Sequence, residues 1–159
     1  VMMGRYSRKK MFEQDDERDL EVTEKALSMV GMQGTEERSF LSLSGGEKQR
    51  IYLAMAFAQE SSLIILDEPT NHLDIGYQLY IMEIMRQFED KTIFTSVHDM
   101  NLAARYCDRI ILLQKGKIIA NGTPEEVLTV ERIRSVFHVN TEIEKKNGVL
   151  NITYLGWTK

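Results

Sequence analysis

The sequence predicts an α/β fold built on a mostly parallel sheet with flanking helices. Three observations carry that expectation. Leu63-Ile64-Ile65-Leu66 is a continuous apolar run that ends in Asp67-Glu68 and is stopped by Pro69. Such a run predicts a strand buried on both faces, as in a parallel sheet. Ile75, Leu79, Met82, Met85 and Phe88 then recur at helical spacing. Thr92 to Val97 is rich in β-branched residues and predicts a second strand, ending at His98.

The remaining elements follow in chain order. Arg8, Lys9 and Lys10 near the start predict a solvated basic face, with a contact patch as the alternative. Leu20 to Met32 reads as a helix with Leu20, Ala26, Leu27 and Val30 inward and Gly31 near its end. Leu43 to Glu60 reads as the next helix. Ser44 followed three residues later by Glu47 is a capping box, and Ile51, Ala54, Met55 and Ala58 form an apolar stripe. Leu102 to Tyr106 predicts a short helix. Asp108 to Leu113 and Lys117 to Ala120 flank Lys115-Gly116 as a hairpin. Thr123-Pro124-Glu125-Glu126 combines an N-cap, a proline at the first helical position and a glutamate at the third. Thr129 predicts the cap of a helix through Phe137. A last hairpin, Val139 to Glu144 and Val149 to Leu155, turns at Asn147-Gly148.

Two stretches carry candidate chemistry. Gly45-Gly46 occupies the first turn of the second helix, where each glycine costs up to about 1 kcal/mol relative to alanine. Bare N–H groups at a positive helix end suit a phosphate, and glycine lets an anion approach closely. An ordinary capped helix with a flexible entry is the alternative. Asp67 and Glu68 stand at the carboxyl end of a strand, where open α/β sheets bind ligands. Asp67 suits Mg²⁺, and Glu68 suits the positioning or deprotonation of a water. The alternative is a solvated acidic turn.

The chain has 159 residues, 43% hydrophobic and 28% charged, as expected of one globular domain or a piece of one. A net charge of −4 gives no electrostatic case for nucleic-acid binding. No apolar stretch is long enough to span a membrane, and no signal peptide is visible. The single cysteine, Cys107, leaves no internal disulfide and fits a reducing cytosol.

Taken together, LSGGE at Leu43 to Glu47, a helix, LIILDEPTNHLD at Leu63 to Asp74, and an apolar strand ending in His98 resemble the nucleotide-binding domain of ABC-type ATPases. The resemblance implies a signature motif at 43–47, a Walker B strand at 63–67, a catalytic Glu68, a D-loop at 71–74 and a switch His98. Glu47 stands where the commonest signature has glutamine. The implied fold is a partial P-loop NTPase fold: a helical signature subdomain over about 1–60, and a core with C-terminal β-hairpins over about 61–159. HDMNLAARYCDRIILLQKGKIIANGTPEEVLT, from His98 onward, resembles importer ATPases for ferric siderophores, haem and cobalamin. NHLD also occurs in soluble, ribosome-associated ABC proteins. Those usually follow the histidine-aspartate pair with an arginine and aromatic residues, not Met100-Asn101-Leu102.

No G-x-x-x-x-G-K-[ST] loop occurs in these residues. The resemblance covers the chain but only the C-terminal part of a typical domain, so a fragment lacking Walker A and the Q-loop is expected. By resemblance, the cofactors are ATP and Mg²⁺, the latter held by Asp67. Ser44, Gly45, Gly46, Glu47 and Asp74 would act on a nucleotide bound by a second ATP-binding subunit in a head-to-tail dimer. Glu68 would activate the attacking water, and His98 would contact the γ-phosphate. The implied partners are transmembrane permease subunits and, indirectly, a substrate-binding protein, with no nucleic acid. The implied location is cytoplasmic, peripheral on the inner face of the membrane.

Overall fold

A computed structural model describes residues 1–10 and 13–158. The chain divides into two compact units, Val1–Ser96 and Val97–Lys159. Met11 and Phe12 fall in the segment of the helical subdomain expected to meet a permease and lie outside the described residues.

The first unit opens with a 3₁₀ turn at Met2–Arg8, followed by α1 (Glu17–Met29) and α2 (Gly45–Ala58). Asp16 and Asp19 form a capping box that starts α1 three residues earlier than the hydrophobic pattern predicts. Leu20, in the first turn, is 52% exposed although it shares a helix stripe with Leu27, while Ala26, Leu27 and Val30 are buried as expected. Gly31 follows at φ 66°, the left-handed conformation that favours glycine after a helix. α2 contributes Leu53, Ala54, Phe57 and Ala58 to the core, and Ile51 and Met55 are half-buried. Gly4 packs so closely on this helix that a Cβ there would overlap the Met55 carbonyl oxygen.

Of the basic residues expected to form a solvated face, Arg8 and Lys10 are exposed, whereas the Lys9 side chain is drawn into ion pairs. Arg5 is buried and donates to Asp19 Oδ1 (2.9 Å), the Ala58 carbonyl (2.7 Å) and Glu60 Oε2 (2.8 Å). Lys9 pairs with Asp15 (2.5 Å) and with Asp19. Lys9, and then Arg5, hold the Asp19 carboxyl well below the usual carboxylate range. Arg8 donates to the Gln59 and Glu60 carbonyls. Arg5 and Arg8 thus place positive charge at the C-terminal end of α2, the negative pole of its dipole.

β1 (Leu63–Leu66) and β2 (Thr92–Thr95) pair in parallel, with Leu63 opposite Thr92 and Leu66 opposite Thr95. α3 (Ile75–Arg86) links them and buries Ile81, Met82, Ile84 and Met85, whereas Ile75 is exposed. The expectation of a strand buried on both faces is corrected here. Ile64 is buried, but Leu63, Ile65 and Phe94 are 49%, 70% and 54% exposed on the other face. Side chains alternate along a strand, so the run reads as fully apolar while only one face is covered.

The second unit contains α4 (Met100–Tyr106), a hairpin of β3 (Ile110–Gln114) and β4 (Lys117–Gly122), α5 (Pro124–Val127), α6 (Val130–Phe137), and a second hairpin of β5 (Val139–Lys146) and β6 (Val149–Trp157). Thr123 with Glu126 forms the expected capping box, and Thr129 caps α6. His138 closes α6 in the left-handed conformation at φ 57°. Asn147 and Gly148, both at positive φ, make the tight turn of the second hairpin. Leu128, Ile133 and Ile152 form the core, with Met100, Ala104, Ile110, Val139, Ile143 and Leu150 packed against it. Among the described residues, no helix is long and apolar enough to cross a membrane.

Candidate functional site

Ser44 caps α2 as its spacing predicts. Its hydroxyl accepts from the Glu47 N–H (3.3 Å), and the Glu47 carboxylate accepts from the Ser44 N–H (2.8 Å). Arg38 donates to the other Glu47 oxygen at 2.7 Å. The Ser44 N–H, and then Arg38, lower the Glu47 carboxyl to about 2. A Cβ added at Gly45 would meet nothing within 4 Å, so its backbone lies open at the helix start. Gly46 borders the following loop: a Cβ there would lie 3.7 Å from the His72 carbonyl oxygen.

The acidic pair sits where a parallel strand ends. Ser96, just beyond β2, donates through its hydroxyl to Asp67 Oδ1 (2.7 Å) and accepts from the Glu68 N–H (2.7 Å). Glu68 takes φ 48°, a left-handed conformation that costs a non-glycine residue roughly 1–2 kcal/mol. Asn71 donates to Glu68 Oε2 at 2.8 Å. Gln49, one turn into α2, donates from its side-chain amide to the Glu68 and Pro69 carbonyls, both at 3.3 Å. Asp74 caps α3 by accepting from the Tyr77 N–H (3.1 Å).

Ser44, Gly45, Gly46, Glu47, Asp67, Glu68 and Asp74 therefore share the first unit, and Gln49 ties the glycine-led helix to the acidic turn. His98 belongs to the second unit; it is exposed and directly precedes Asp99, the cap of α4. Sequence reasoning missed Arg38, Gln49, Asn71 and Ser96. Ser96 lay inside the strand predicted over Thr92 to Val97, which in the structure ends at Thr95. Asn71 lay within the D-loop expected at 71–74 without a role of its own, and Arg38 and Gln49 act on groups nine and about twenty positions away.

Asp67 is exposed at the strand end and offers hard carboxylate oxygen. That donor suits Mg²⁺, which keeps several waters and takes one or two carboxylates with substrate phosphates.

The first unit thus sets a parallel strand ending in two acids beside a capped Gly-Gly helix start. The fold agrees with a solved inward-facing structure assigned to the metal-chelate type of ABC transporter, at TM-score 0.83 and 28% identity over 97% of this chain and 63% of that one. It also agrees with a dimeric bacterial ABC transporter cassette, at TM-score 0.65 and 28% identity over 77% of this chain and 54% of that one. The family model described as ABC transporter matches residues 4–71. It is 39% identical to the petrobactin import ATP-binding protein FpuD of Bacillus anthracis, over 90% of this chain and 54% of that protein. It is 38% identical to the iron(3+)-hydroxamate import ATP-binding protein FhuC of Bacillus subtilis, over 97% of this chain and 60% of that protein. A cobalamin import ATP-binding protein, BtuD of Halobacterium salinarum, is 36% identical over 98% of this chain and 40% of its own length. The chain spans about half the length of the curated relatives it matches.

Proposed function

We propose that this chain supplies the signature and hydrolysis elements of an ATPase that powers an importer for iron chelates or cobalamin. The observation that carries the reading is the Gln49 bridge, which ties the signature helix α2 to the Asp67-Glu68 turn at the end of β1. Identity to siderophore, hydroxamate and cobalamin import subunits supports the substrate class.

In this reading ATP is held on the Walker A loop of another subunit in a head-to-tail pair. The N–H groups at Gly45 and Gly46, with the Ser44 hydroxyl, donate to its γ-phosphate. Asp67 holds Mg²⁺, which neutralises phosphate charge when bound. Glu68, fixed by Asn71 and by the Ser96 bond to its own N–H, orients the attacking water and takes its proton. His98 contacts the γ-phosphate. Asp74, at the end of the loop that borders Gly46, relays between the paired subunits. Residues of about 1–60 form the signature subdomain that meets the permease, and about 61–159 form the rest. The protein then works at the cytoplasmic membrane face with permease subunits and, through them, a substrate-binding protein.

Glu68→Gln in the full-length protein tests the chemistry. Glutamine keeps the shape but is not a base, so ATP binding persists, most turnover is lost and the dimer is prolonged. Near wild-type hydrolysis would remove Glu68 from its role. Co-purification with ribosomes and not with membrane subunits would overturn the importer assignment.

A further inference from the structure

The turn after His98 is held from outside its own helix. Asp99 caps α4, its carboxylate accepting from the Asn101 N–H (2.7 Å) and the Leu102 N–H (3.1 Å). The Asn101 side chain then reaches across to β6. Its amide nitrogen donates to the Ile152 carbonyl (3.1 Å), and its amide oxygen accepts from the Ile152 N–H (2.7 Å). One side chain makes both bonds that a neighbouring strand residue would make to that position. Two residues further along β6, the Tyr154 hydroxyl lies close to the Met100 backbone and to Asp99. Met100 and Ala104 pack on the Ile152 cluster. The segment from Asp99 to Ala104 is thus fastened to the C-terminal hairpin at successive points, and His98 stands at its N-terminal end.

We propose that Asn101 is a positioning residue for His98, and that the β5–β6 hairpin is the support that sets the conformation of the His98 turn. The proposal rests on the reading of His98 as the γ-phosphate contact. Asparagine suits the role because a single planar amide carries both a donor and an acceptor. Aspartate keeps the shape and the acceptor but faces the Ile152 carbonyl with no donor. Leucine keeps the approximate shape and has neither.

The test is a double-mutant cycle on ATP turnover in the full-length protein, using Asn101→Leu, His98→Ala and the pair. Asn101→Leu is expected to lower kcat by about tenfold or more, the scale of the two hydrogen bonds lost, with KM for ATP unchanged. In the His98→Ala background it is expected to cost nothing further. An equal loss in both backgrounds, or a loss confined to KM, would overturn the proposal. Asn101→Asp serves if the leucine variant fails to fold, with the same two outcomes.

A second measurement separates the proposal from the reading beneath it. The His98 ring resonances of the 159-residue chain are recorded by NMR for wild type, Asn101→Leu and Asn101→Asp. Shifted ring signals in both variants, with the hairpin resonances retained, support the positioning role even if His98→Ala leaves turnover intact; in that case only the catalytic reading of His98 falls. Unmoved ring signals, with His98→Ala inactive, would sink the positioning role alone.

Discussion

Glu47 stands beside an open helix start, where a negative charge both caps the helix and competes with any incoming phosphate. The structure holds that charge in place: the Ser44 N–H binds one oxygen and Arg38 the other. Ionisation is therefore linked to folding. The Glu47 carboxyl lies at about 2, against an ordinary value of 4.5. A depressed carboxyl stabilises fully above its unfolded value, and that contribution is lost as pH falls toward the folded one. Acid titration of the first unit should lose stability between about pH 4.5 and about 2, and Glu47→Gln should flatten that limb. An unchanged acid limb in the variant would remove the linkage. Ser44→Ala removes the hydroxyl cap and should cost about 1 kcal/mol, measured by denaturant unfolding of the same unit.

At the scale of elements, the first unit depends on helices packed on one face of a short parallel pair. Ile81 is fully buried on α3. Ile81→Ala should cost about 2–5 kcal/mol, from lost transfer energy and the cavity left behind. A cost below 1 kcal/mol in chemical denaturation would mean that α3 does not hold the core as described. What was legible in the sequence follows the range of each interaction. The capping boxes at Ser44 and Thr123, the Asn147-Gly148 turn and the stop at Pro69 are local, and the sequence carries them outright. Lys9 was misread because its partners include Asp19, ten positions on, and Arg5 likewise reaches across to Ala58 and Glu60. The start of the first helix at Glu17 follows from a cap at Asp16 that the hydrophobic pattern does not register. In the candidate site, the residue types at 44–47 and 67–68 were visible. The Ser96 bridge was not, because it spans 29 positions and exists only once β1 and β2 pair.

For the whole molecule, the uncovered face of β1 and β2 has a solution consequence. Leu63, Ile65 and Phe94 lie together on it and are largely exposed. Adjacent apolar side chains on a short open sheet favour association. The purified 159-residue chain should therefore self-associate with rising concentration, and Ile65→Lys should shift it toward monomer in sedimentation. A concentration-independent monomer in the wild-type chain would contradict this. On the proposed reading, these residues carry the hydrolysis elements and the signature of an ABC ATPase without a phosphate-binding loop. In P-loop ATPases that loop and its lysine cradle the β- and γ-phosphates, and its Ser/Thr shares the Mg²⁺. The most direct measurement is phosphate release from Mg-ATP by the purified chain, alone and mixed with a chain bearing an intact Walker A loop, with Glu68→Gln as control. The chain alone should give no appreciable release, and any composite site formed in the mixture should give Glu68-dependent release. Robust turnover by the chain alone, abolished by Glu68→Gln, would contradict the reading.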